Sequence, residues 1–186
     1  MGAYLDDAQR RGVLDALTRY DPVYDELFNE VSERIGARGD IGKLDIAGLV
    51  FWKRIPLGRW YKSLLAIGEA DVREATREAV TLVGTTEDRL RALRPIPGCK
   101  TSAASIASTL LTAWNPTDFA ITDRRARPAL AKLLRIDQAP LNAYPEYLRR
   151  VVCVRDDINL HRHDDAPLTA RDIDKALWIL GGGTDG

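Results

Sequence analysis

Leu93-Arg94-Pro95-Ile96-Pro97-Gly98-Cys99-Lys100 is the stretch on which the reading of this chain turns. Two prolines and a glycine in eight residues cannot continue a helix, so they mark a tight turn between helices. Thr101 to Trp114 follows as a helix rich in small residues (Ser102, Ala103, Ala104, Ser105, Ala107, Ser108), and small side chains allow a neighbouring backbone to approach closely. Asn115-Pro116 ends it. Phe119-Ala120-Ile121 then leads to Thr122 or Asp123 as the cap of a helix reaching about Arg135.

Outward from this centre the periodicity stays helical. Toward the C-terminus, Tyr144 to Ile158 reads as a helix despite the β-leaning Val151-Val152-Cys153-Val154, and His161 to Pro167 is a polar loop. Thr169 with Asp172 forms a capping-box start for a last helix with Ile173, Ala176, Leu177 and Leu180 inward, ended by Gly181-Gly182-Gly183. Toward the N-terminus, Thr86 caps a short helix and Asp71 to Val83 is amphipathic. Lys43 to Arg54 is a buried helix, although Leu49-Val50-Phe51-Trp52 suits a strand by residue type. Asp21-Pro22 reads as a cap and first turn before the stripes Val23/Leu27/Val31 and Tyr24/Phe28/Ile35. Val13, Leu14, Leu17 and Tyr20 open the series. The expectation is an all-α, two-lobed globule of about nine or ten short helices, with residues 1–186 forming one domain.

Composition bounds the function. The chain has 186 residues, 27 Lys+Arg against 27 Asp+Glu, and 45% hydrophobic residues. That balance supports a folded core and excludes a bulk polycation, but allows a local basic face. No apolar run approaches the roughly 20 residues of a membrane span, and the first residues lack a basic-then-apolar signal pattern, so no membrane partner and a cytoplasmic location are expected. Two cysteines, Cys99 and Cys153, are too few for a four-thiolate iron–sulfur cluster or a disulfide framework. Gly98-Cys99-Lys100-Thr101 lacks the arch and Gly-Lys-Thr core of a nucleotide-triphosphate loop.

The turn, the small-residue helix and the trailing aspartate together resemble the helix-hairpin-helix (HhH-GPD) DNA glycosylase superfamily, the endonuclease-III-like and alkylbase glycosylases. Ile96-Pro97-Gly98-Cys99-Lys100 matches the family's Leu-Pro-Gly-x-Gly turn, Thr101-Ser102-Ala103-Ala104 its helix start, and Asp123 with Ala126, Arg127 and Leu130 its aspartate-led helix. The resemblance covers roughly forty residues. It implies a DNA partner and hydrolysis of the N-glycosidic bond of a damaged or modified base flipped from duplex DNA. Pro97, Gly98, Cys99, Lys100, Thr101 and Ser102 would hold a phosphate through backbone amides, the hairpin carbonyls would share a monovalent cation with it, and no other cofactor is implied. Arg124 and Arg127 would add to DNA binding. Asp123 would stabilise the developing oxocarbenium charge and activate water.

Two departures shape that expectation. Lys100 stands where a second glycine is usual. Ser102 stands where bifunctional members carry a Schiff-base lysine, so base excision without strand cutting is expected. Both departures also suit an alternative, a non-catalytic DNA-binding module on the same scaffold. Asp123 as a plain helix cap is a parallel reading, compatible with either. Trp52, Lys53, Trp60 and Tyr61 interleave aromatic and basic side chains, as a base pocket does, but tryptophans filling the core give the same pattern. His161-Arg162-His163-Asp164-Asp165 is read as a polar loop and no metal is expected.

Overall fold

The computed structural model describes residues 4–56, 58–99, 104–162 and 166–183. The protein is all-α: among the described residues the regular elements are helices, joined by short turns. The chain divides into two compact units, Pro22–Trp114 and the pair of segments Met1–Asp21 and Asn115–Gly186.

The Pro22–Trp114 unit opens with a 3-10 turn, Pro22–Asp25, that leads into α2 (Glu26–Arg38). The expected cap at Asp21 with a helix from Pro22 is corrected, since regular α geometry starts four residues later. Then come α3 (Lys43–Trp52), α4 (Gly58–Ala66), α5 (Glu69–Thr81), α6 (Thr86–Ala92) and α7 (Ser105–Trp114). Leu49 to Trp52 is helical, so the periodic reading wins over residue type. Thr85 rather than Thr86 caps α6: its hydroxyl accepts the Asp88 amide, and Asp88 returns a bond to the Thr85 amide at 3.0 Å.

Helix α7 is the centre of this unit. Ile106, Ala107, Leu110, Leu111 and Ala113 are buried, and α2, α3 and α5 pack around it. Its small polar residues are buried as well. Ser108, Thr109 and Thr112 turn their hydroxyls back onto the carbonyls of Ser105 and Ser108 at 2.7–3.0 Å, so no buried donor is wasted. Ser32 on α2 donates to the Ala113 carbonyl at 2.6 Å, serving a helix-end group that has no intrahelical partner. Asp40, between α2 and α3, receives Arg73 at 2.7 Å and Arg77 from α5. Burial alone would raise the Asp40 carboxyl; the two guanidiniums overcome this and hold it below its ordinary value.

The other unit contains α1 (Asp7–Thr18), α8 (Ala126–Leu134), a 3-10 turn (Ala139–Asn142), α9 (Tyr144–His161) and α10 (Ala170–Leu180). The inner face of α10 (Ala170, Ile173, Ala176, Leu177) is buried against α1, α8 and α9. Its expected capping box is present, Thr169 with Asp172. Its first two amides go to the carbonyls of Thr117 and Pro116 at 3.0 Å, which ties the start of α10 to the segment entering the Asp123 region.

Candidate functional site

The turn of the sequence motif lies in the Pro22–Trp114 unit and Asp123 in the other. Each is built by its own surroundings.

The turn is a run of short bonds: Ile96 amide to Leu93 carbonyl at 3.0 Å and Cys99 amide to Ile96 carbonyl at 3.1 Å. Ile96 is buried, Pro97 half-buried and Gly98 exposed. Gly98 has φ +83°, a conformation open to glycine at little cost. A Cβ there would strike the Ile106 side chain of α7 and lie 2.8 Å from the indole nitrogen of Trp60. That indole nitrogen donates to the Pro97 carbonyl. The tip is therefore clamped by α4 from one side and floored by α7 from the other.

Several expected phosphate contacts are placed differently by this geometry. The Cys99 side chain is buried and its amide is spent within the turn. Burial pushes its thiol up to about 12, so it is a neutral packing group. The Pro97 carbonyl, one of those expected to face a cation, already accepts the Trp60 indole. Lys100, Thr101 and Ser102 lie outside the described residues. The expected helix over Thr101 to Trp114 is corrected: Ala104 is left-handed at φ +48°, and α7 begins at Ser105. A left-handed residue cannot sit inside a right-handed helix, so α7 starts only after Ala104.

Asp123 opens α8. Its Oδ1 accepts the Arg125 amide at 2.6 Å and the Ala126 amide at 2.8 Å, the Asx arrangement of a helix start. Among the described residues Oδ2 has no hydrogen-bond partner. The approach segment is buried throughout: Phe119, Ala120, Ile121 and Thr122 all lie in the core. Two buried tyrosines of α9 pin it, Tyr144 donating to the Ala120 carbonyl at 3.0 Å and Tyr147 to the Ile121 carbonyl at 3.2 Å. Burial, reinforced by the charges of Asp174 and Asp123, raises the Tyr147 hydroxyl well above its ordinary value, so it remains a donor.

The arginines behind Asp123 divide. Arg124 is exposed. Arg127 turns inward, donating to the Asp123 carbonyl at 3.3 Å and the Asn142 side chain at 3.1 Å, and so braces the α8 start. Arg125 lies over the Trp178 ring at 5.6 Å, and its carbonyl leaves no room for a side chain at Gly181.

Of the four residues expected to form a base pocket, Trp52 and Trp60 have distinct described surroundings. Trp52 is buried and packs on Phe28 and Tyr24. It lines an open groove of about 620 Å³ that is bounded also by Val23, Tyr24, Glu26, Phe51 and Arg54. Lys53, Trp60 and Tyr61 are not among the lining residues of that groove, and Trp60 serves the turn instead. His161 bonds the Asp157 carbonyl through Nδ1 at 2.7 Å, and the rest of its motif, His163 to Asp165, lies outside the described residues. Among the described residues no cluster of three or more His, Cys, Asp or Glu side chains could hold a metal ion, and no helix is long and apolar enough to cross a membrane.

Sequence reading missed Tyr144 and Tyr147. Their three-residue spacing on one helix face was visible, but their target carbonyls lie more than twenty positions away. Comparison with protein-family models, curated proteins and solved structures finds no match to this chain.

Proposed function

We propose that the protein binds DNA and hydrolyses the N-glycosidic bond of an extruded base, as a monofunctional glycosylase of the helix-hairpin-helix type. One observation supports this reading most. Asp123 is held by two backbone amides through a single oxygen, on an arm locked by two buried tyrosines, while its Oδ2 has no partner among the described residues.

Such a carboxylate suits the chemistry. As the C1′–N bond breaks, the base leaves with the bonding electrons and the sugar becomes cationic. A fixed negative oxygen stabilises that charge without reorganising. The same carboxylate accepts a proton from the water that adds to C1′ and later returns it to solvent. No lysine is required, in keeping with Ser102 at the position where a Schiff-base residue would stand.

Asp123→Asn is the informative variant, because asparagine caps helices as well as aspartate does. It keeps the fold and DNA affinity and loses about 10²–10⁴ in base release. Mass spectrometry of bases freed from damaged and naturally modified DNAs reads the outcome, and full activity in the variant refutes the role. The second reading, a non-catalytic DNA-binding module, is favoured by Lys100 where a second glycine is usual and by Ser102 where a Schiff-base lysine would stand. Salt-dependent DNA binding with no base release from any substrate selects it.

A further inference from the structure

Helix α3 is apolar on both sides. Ile46, Leu49, Val50 and Trp52 face the core. The opposite stripe, at the three- and four-residue spacing of one helix face, is Leu44, Ala47, Gly48 and Phe51. Leu44 is 89% and Phe51 70% exposed, and the two small residues between them are half-buried. A surface helix turns a polar face to water, whereas a helix that is hydrophobic all round belongs in an interior.

The stripe continues into its neighbours. At one end Val23, 63% exposed, shares a groove wall with Phe51. At the other, Leu65 of α4 is 58% exposed, and its carbonyl accepts Lys43 Nζ beside Leu44 at 3.1 Å. Isolated exposed leucines are ordinary, but large apolar side chains gathered along one face mark a contact surface.

From this face we propose that the protein is a two-fold homodimer, with α3 packed antiparallel on α3 of a second copy. Two features select a second copy as the occupant. The first is self-complementarity. The midpoint between Leu44 and Phe51 falls between Ala47 and Gly48. A two-fold axis there sets Leu44 of each copy against Phe51 of the partner subunit, and the small residues at the crossing let the two backbones approach. The second is area. Leu44, Phe51, Val23 and Leu65 leave on the order of 500 Å² of apolar surface in water, as much as the largest patch on an ordinary monomer. With a polar rim this approaches the roughly 800 Å² that each partner contributes to a stable interface. The inference is independent of the nucleic-acid reading and of Asp123.

Sedimentation velocity of the full chain over roughly 1–200 μM reads the dimer directly, as a mass that rises with concentration to twice that of one chain. Leu44→Glu and Phe51→Lys, both at exposed positions, keep the circular dichroism spectrum of the parent and each weaken dimerisation by at least about tenfold. Mixing the two variants restores a dimer. In the antiparallel register the Leu44→Glu carboxylate meets the Phe51→Lys ammonium at one contact, and the natural Leu44–Phe51 pair survives at the other. Energy transfer between differently labelled variants detects that mixed species. A chain that stays monomeric over the whole range, as it does when a different partner covers the face, overturns the proposal. A dimer whose dissociation constant changes less than twofold in both variants overturns it as well, because the contact then lies elsewhere. A dimer weakened by both changes but not restored by mixing overturns the antiparallel pairing.

Discussion

Replacing Gly98 by alanine tests how the turn is built. The new methyl group faces two costs. A left-handed φ of +83° is unfavourable for an L-residue by about 1–2 kcal/mol. The Cβ would also lie 2.8 Å from the Trp60 indole nitrogen and closer still to the tip of Ile106, an overpacking worth about 1–3 kcal/mol. Ile106 sits on the buried face of α7 and has little room to retreat, and Trp60 can retreat only by giving up the Pro97 carbonyl. The sum centres at about 3.5 kcal/mol, or roughly 7–14 °C in Tm for a chain of this size. Thermal unfolding followed by circular dichroism measures it. Trp60→Phe, which deletes the indole donor and part of the ring, costs at least about 1 kcal/mol. In the Gly98→Ala, Trp60→Ala pair the second change removes part of the clash, so the two losses are less than additive by about 1 kcal/mol. A Gly98→Ala shift below about 2 °C, or strict additivity in the double variant, refutes this account of the turn.

Asp123→Ala, unlike the asparagine variant, loses the helix start as well and costs about 1 kcal/mol of stability on denaturant titration. Tyr147→Phe leaves the Ile121 carbonyl buried without its donor and destabilises by about 1–3 kcal/mol; equal stability would show that the segment is held by packing alone. Arg135 occupies the left-handed position after α8 at φ +54° with an exposed side chain, so Arg135→Gly gains about 0.5–1 kcal/mol in the same assay. Burial alone would raise the Asp157 carboxyl, but the Arg10 guanidinium at 2.9 Å and the Tyr4 amide at 2.8 Å hold it below its ordinary value. Its stabilisation is therefore complete above the ordinary carboxyl range and is lost as pH falls through the lowered value; Asp157→Asn removes that part of the acid limb of a stability–pH curve. Cys99 resists iodoacetamide at pH 8 in the folded chain and reacts once denatured, because a buried thiol near 12 provides almost no thiolate.

The helices were legible because their signals are local. Apolar spacing identified α1, α3, α9 and α10, and the Thr169–Asp172 box is a contact between residues three apart. The turn at Asp123 is equally local, since its carboxylate bonds amides two and three positions on, but α8 itself starts at Ala126 with Arg125 at the cap position. Boundaries shifted where local signals were ambiguous. Two adjacent threonines stood before α6, and the hydroxyl that reached the N3 amide was Thr85. A run of small residues suggested a helix from Thr101, yet Ala104 broke it, and propensity gives no warning that an alanine will be left-handed.

By itself, then, the sequence determined an all-α chain, a proline–glycine turn, and an aspartate turn shortly before a helix, because each depends on neighbours within one or two helical turns. Tertiary structure alone decided which tryptophan clamps the turn, which tyrosines lock the arm before Asp123, that Arg127 braces α8, and that Phe51 stays in solvent beside Trp52. These outcomes rest on contacts between residues far apart in the chain. Periodicity reports that a side chain is apolar or sits on an inner face, but not which distant carbonyl or ring it will meet.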